Sequence, residues 1–336
     1  MKYNFRDLIS EFIPPEKQNS PIYFWGLGEN WEELKKKYKV LGINLEEEAE
    51  GLIDKNKGIK PDDLNFNNDM LVFVISTSYC TEIDNFLIEK GLKLDIDVFH
   101  FVLLFQIAVE KLFEKSIACK NKHDGEECFI ICNGPSLKPE DLQVLHEKNI
   151  PCFGLNGISN VFEKTDWRPN YYVTSNPIYL KKLEEISKTV KCPKFILLNS
   201  AETVNNMYID ENVLFFYVNR LEFSLHRLTK PTIGTEIYNL SPTHTITHCA
   251  LQIAIYMGFK KIYLLGLDNN FKNSKGEVVH FYKRVSNPSF VIDYDLINDE
   301  YQAAKDYAEN NGIEIYNATR GGELEVFERV NFDKLF

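Results

Sequence analysis

Short apolar runs alternate with stretches of helical periodicity along most of the chain. Residues 21–25 are apolar and end in the Gly26-Leu27-Gly28 turn. From 29 to 39, Trp31, Leu34 and Tyr38 recur at helical spacing. Residues 51–56 read as a second strand running into a loop, and 70–77 as a third, rich in β-branched and aromatic side chains. A helix over 82–90 and an apolar segment over 98–105 complete this part, and residues 1–20 read as an arm or short helix. Residues 106–119 form an apolar-periodic helix, and the polar run 121–127 after it marks a domain boundary. The expected domains are therefore 1–120, a small Rossmann-like α/β unit, and 121–336, a larger one.

The larger domain repeats the pattern. Strands are expected at 128–132, 151–155, 171–174, 194–198, 213–218, 261–265 and 314–317, with helices over 139–148, 245–257 and 301–311. Strands alternating with helices at this spacing predict an α/β fold with a mainly parallel sheet in each of two Rossmann-like domains.

Composition excludes several classes. The formal net charge of −11 and the lack of a basic patch interleaved with aromatics argue against nucleic acid. They also argue against a purely electrostatic grip on anionic lipid. Seven cysteines, an odd number without a CxxC pair, fit reduced thiols in a cytoplasmic protein. The first residues lack the apolar core of a signal peptide, and no run of about 18 apolar residues exists to span a membrane. A lipid-linked acceptor would have to be met at the membrane surface, as a peripheral contact.

Candidate chemistry gathers where strands end. Asn133, Asn156, Asn176, Asp268 and Asn317 each stand at or just past the carboxyl end of a predicted strand, and in an open α/β sheet those ends line the ligand crevice. Asn133-Gly134-Pro135-Ser136 offers backbone N–H groups near a helix N-terminus, which suits a phosphate, and Gly134 allows close approach. Asn156 and Asn176 can bond a ribose or base, and ionised Asp268 suits ribose hydroxyls or a metal. Turn chemistry explains any one of them, since Asn, Gly, Asp and Pro dominate loops. Four such turns at successive strand ends favour a pocket. Gly26 and Gly28 begin a dinucleotide fingerprint, but Trp31 holds the place of its third glycine, so a tight turn is favoured there. His244 and His248 stand four apart without a third ligand, which favours capping or packing over zinc; His244 could also reach the donor pocket.

Residues 131–137, Ile-Cys-Asn-Gly-Pro-Ser-Leu, resemble the opening nucleotide-binding motif of the bacterial lipooligosaccharide sialyltransferases. Asn156 and Asn176-Pro177 resemble that family's next two nucleotide contacts. Residues 250–268 resemble its later helix and strand, which end in the ribose-holding residues Gly266, Leu267 and Asp268; Thr245 and Thr247 match a turn near the donor. Residues 317–327 look more like the motility-associated flagellin glycosyltransferases, whose core resembles the sialyltransferases and the hydroxymethylpterin pyrophosphokinases. The first domain is similar to Rossmann-like modules found beside sugar-modifying enzymes of surface-polysaccharide clusters.

The resemblance implies a glycosyltransferase of cell-surface polysaccharide biosynthesis. It would take a nucleotide-sugar donor, with a CMP-activated acidic sugar favoured, and a glycan, lipid-linked glycan or protein acceptor. No cofactor is expected, and the reaction is expected to be metal-independent. The sequence departs from the family in two places. Residues 291–295 lack the family's catalytic His, and Asn270 stands where the family has a phosphate-holding Tyr. The substitute base is therefore His280 or, at the family's own place, Asp293 or Asp295. Tyr282 would hydrogen-bond the leaving phosphate, and Lys283 or Arg284 would neutralise it. The rival readings are an ATP- and Mg-dependent diphosphokinase and a non-catalytic nucleotide-sugar-binding protein.

Overall fold

The computed structural model describes residues 3–204, 207–219, 231–269 and 293–336. The chain forms two compact units, Met1–Glu114 and Lys115–Phe336, and the boundary falls within the helix Phe101–Ile117. Both are α/β, and every strand pairing in both sheets is parallel.

The first unit has four strands, β1 (Ile22–Trp25), β2 (Gly51–Ile53), β3 (Leu71–Val74) and β4 (Val98–His100), in the order β2-β1-β3-β4. Its central strand β3 is buried along its whole length, as expected of a strand covered on both faces. Phe24 stacks obliquely on Trp31 at 5.0 Å and on Phe73 at 5.7 Å, so the helix Glu29–Val40 is held to the sheet by aromatic packing. The apolar segment at 98–105 is split: β4 ends at His100 and the helix begins at Phe101, earlier than helical periodicity alone places it.

The second unit has eight strands: β5 (Glu127–Ile131), β6 (Cys152–Leu155), β7 (Tyr171–Thr174), β8 (Lys194–Leu197), β9 (Val213–Phe216), β10 (Lys261–Leu265), β11 (Glu314–Asn317) and β12 (Glu328–Arg329). Their order is β12-β11-β10-β5-β6-β7-β8-β9. The chain moves outward from β5 through β9 on one side, then returns to the other side of β5 with β10. The direction of winding therefore reverses between β5 and β10. One core cluster packs Phe129, Trp167 and Tyr172 beneath the sheet.

Two boundaries differ from the sequence expectation in ways that matter for the site. The last long helix starts at Tyr294, seven residues ahead of the expected start at 301, because Asp293 caps it by accepting the Leu296 N–H at 3.1 Å. Strand β12 was not anticipated, since two residues carry too little periodicity to register.

Candidate nucleotide site

At the reversal point, backbone pairing between β5 and β10 continues beyond the strands. Cys132 donates to the Leu265 carbonyl at 2.8 Å, and Gly134 to the Gly266 carbonyl at 2.9 Å. Gly266 makes this possible with φ of 71°, which favours glycine. The two loops are then locked by side chains. The Asp268 Oδ2 accepts from Ser136 Oγ at 2.8 Å and from the Ser136 N–H at 3.3 Å. Gly134 is required here for room: a Cβ would collide with the Asp268 carboxylate and come within 2.6 Å of the Gly266 carbonyl. What approaches Gly134 in the protein itself is thus the carboxylate of Asp268.

The segment 317–324 closes on Asp268 from the other side. Glu323 N–H donates to the Asp268 carbonyl at 2.7 Å, and Leu267 N–H to Thr319 Oγ1 at 3.0 Å. Gly322, with φ of 80°, lies so near that a Cβ would stand 2.7 Å from the Asp268 backbone. Arg329 holds the segment by its carbonyls, reaching Gly321 at 2.7 Å and both Gly322 and Leu324 at 3.1 Å.

The three asparagines have different surroundings. Asn133 donates from Nδ2 to the Leu155 carbonyl at the end of β6, at 2.8 Å, while its Oδ1 is buried without a hydrogen-bond partner. Such an atom is costly to leave unmatched, so a donor from a ligand would be stabilising there. Asn156 adopts φ of 44°; its Oδ1 accepts from Thr174 Oγ1 at 2.9 Å and its carbonyl from Tyr172 OH at 2.7 Å. Asn176 caps the short helix Pro177–Leu180, accepting the Ile178 N–H at 2.9 Å. Its observed bond is turn chemistry.

Thr245 caps the helix Ile246–Tyr256 through the His248 N–H, and its hydroxyl is 3.2 Å from Tyr301 OH. Thr247 is buried, with Oγ1 3.4 Å from Cys132 Sγ. The start of this helix therefore lies against the carboxyl end of β5. Burial pushes the Cys132 thiol up to about 12; the nearby Asp268 charge adds to this and the Thr247 bond opposes it. Cys132 is accordingly a small core residue. His248 is fully buried, packs its ring 6.1 Å from that of Tyr301 and bonds Gln252 at 3.2 Å.

Of the expected catalytic residues, His280 and Tyr282 lie outside the described residues, as do Lys283, Arg284 and Asn270. Asp293 and Asp295 are exposed, one the helix cap and the other in its first turn. The structure adds two residues that sequence reading missed. Asn298 accepts from Asn269 Nδ2 at 3.1 Å, beside Asp268, and fully buried Glu300 bonds the His244 ring at 2.6 Å. A signal for Glu300 was present: it stands three after Ile297 and four before Ala304, a carboxylate on an apolar helix face. Among the described residues no group of three or more His, Cys, Asp or Glu is placed to hold a metal, and no helix is long and apolar enough to cross a membrane.

Fold and site together define a parallel α/β protein in which the polar turns after β5 and β10 meet where the winding reverses. A family model described as 6-hydroxymethylpterin diphosphokinase MptE-like matches residues 104–274, half of the chain, and the chain belongs to that family. Among solved structures it is similar to a Maf glycosyltransferase from Magnetospirillum magneticum AMB-1, at 15% identity and a TM-score of 0.44. That alignment covers 94% of this chain and 58% of the other, so the chain spans little more than half of that protein's length. No curated protein matches the chain in sequence.

Proposed function

We propose that the protein is a glycosyltransferase that binds a nucleotide-activated sugar in the crevice between β5 and β10. The observation that carries this reading is the coupling of Asn133–Ser136 to Gly266–Asp268 by the Ser136–Asp268 bonds, with the buried Asn133 Oδ1 unmatched beside them. The turn at Asn133–Ser136 would face the phosphate, Asp268 the ribose, and Asn133 and Asn156 the base or ribose. His280 and Tyr282 would contact the donor phosphate. We favour CMP over other nucleotides, a reaction independent of metal, and a glycan, lipid-linked glycan or protein acceptor. The support for these finer assignments is the sequence resemblance at residues 131–137 and 250–268.

Family membership favours a second reading, pyrophosphate transfer from ATP. The two separate cleanly in thermal unfolding. A ligand bound to the native state at a hundredfold excess over its Kd adds about 2.7 kcal/mol of stability. The glycosyltransferase reading expects CMP to raise Tm without Mg²⁺ by more than ATP does. A rise with ATP only, strictly requiring Mg²⁺ and accompanied by AMP release, would establish the diphosphokinase instead.

A further inference from the structure

A buried carboxylate outside the nucleotide contacts is organised around one exposed imidazole. Glu300, on the helix Tyr294–Asn310, has no solvent exposure. It accepts the His244 N–H at 3.1 Å on both oxygens, His244 Nδ1 at 2.6 Å and Thr243 Oγ1 at 2.9 Å. Fixing the 243–244 backbone needs only the first and last of these. The ring bond is an additional one, and it joins a fully buried carboxylate to a side chain that keeps 30% of its exposure. The ring thus runs from the interior outward.

The pair's chemistry ties the tautomer to the carboxylate. With Glu300 ionised the carboxylate only accepts, which places the neutral ring's proton on Nδ1 and leaves Nε2 to take up a proton. The location is equally constrained. His244 precedes the Thr245 cap of a helix whose Thr247 touches Cys132 at the end of β5. The helix that carries Glu300 also bonds Thr245 through Tyr301, and bonds Asn269, next to Asp268, through Asn298. One helix therefore ties His244 to both walls of the crevice.

We infer that His244 is the general base of the transfer and Glu300 its positioning residue; this rests on the glycosyltransferase reading above. In the step, the acceptor oxygen forms a bond to the anomeric carbon. The bond from that carbon to the nucleotide's phosphate oxygen breaks, and its electron pair leaves on the phosphate. The acceptor's hydroxyl proton passes to His244 Nε2.

The test uses the full chain, with water as acceptor, and measures nucleotide release from CMP-N-acetylneuraminate and from UDP- and GDP-sugars. Binding of CMP is followed in parallel, and the His244 tautomer is read by long-range ¹H–¹⁵N correlation in ¹⁵N-histidine-labelled protein. The inference expects the Nδ1–H tautomer in the wild type. It expects His244→Gln to lower kcat by about a hundredfold or more, the usual scale for a lost general base, with CMP affinity unchanged. Glu300→Gln should shift the tautomer towards Nε2–H and lower kcat at least tenfold; His244→Gln, at a part-exposed position, carries the test if Glu300→Gln does not fold. An Nε2–H tautomer in the wild type, or His244→Gln within twofold of wild-type kcat, overturns the inference and leaves glycosyl transfer standing. Wild-type protein that turns over none of these donors overturns both.

Discussion

Gly134→Ala is expected to abolish nucleotide binding while Gly28→Ala leaves it unchanged. The two glycines occupy the same formal place, after the first strand of a parallel unit, but their surroundings are opposite. A Cβ on Gly28 meets nothing within 4 Å. A Cβ on Gly134 drives into the Asp268 carboxylate and the Gly266 carbonyl. The carboxylate cannot simply swing aside, because Ser136 holds it by two bonds, and the carbonyl is backbone already accepting the Gly134 N–H. The loop must therefore move away from β10, breaking the Gly134–Gly266 bond and displacing the Ser136 hydroxyl. Overpacking of this kind costs roughly 1–3 kcal/mol of stability. The larger consequence is geometric: a loop displaced by even an ångström no longer presents Asn133 and Asp268 to one ligand. Calorimetric titration with CMP should show affinity falling at least a hundredfold for Gly134→Ala and less than twofold for Gly28→Ala. The reverse pattern would move the nucleotide to the first unit.

Gln252→Leu should cost the second unit a large part of its stability. Gln252 has no solvent exposure. Its Oε1 accepts the N–H groups of Gly234 and Ser241, each at 2.8 Å, and its Nε2 donates to the Ser241 carbonyl at 3.2 Å. One amide thus satisfies three buried backbone groups of the segment leading into the Ile246–Tyr256 helix. Leucine fills similar volume but leaves all three unmatched. At about 1–3 kcal/mol for each buried group left without a partner, the total is roughly 3–6 kcal/mol after allowing for relaxation. That is a large part of the ~5–15 kcal/mol typical of a domain. Urea unfolding followed by circular dichroism should show the midpoint fall with the slope unchanged. A loss below about 1 kcal/mol would mean that the segment finds other partners.

The architecture was legible because parallel strands buried on both faces write themselves as apolar runs. Residues 128–131 and 262–265 are such runs, and the turns after them were equally plain. The link between those turns was not legible. Ser136 and Asp268 are 132 residues apart, and neither type nor spacing announces that one carboxylate bonds the other's loop. Asn176 illustrates the opposite limit: its type suits a ligand contact, yet the bond it makes caps its own helix. The His244–Glu300 pair combines both cases. Each residue carries a local signal, a His just before a helix and a Glu on an apolar face, but 56 positions separate them and only the fold joins them.

The central claim is that the nucleotide occupies the switch point of the second unit. A crystal structure of the protein grown with CMP tests it most directly. The account predicts phosphate against the Asn133–Ser136 turn, ribose against Asp268, and a donor from the nucleotide on Asn133 Oδ1. Nucleotide bound only at Gly26–Gly28 of the first unit would contradict it.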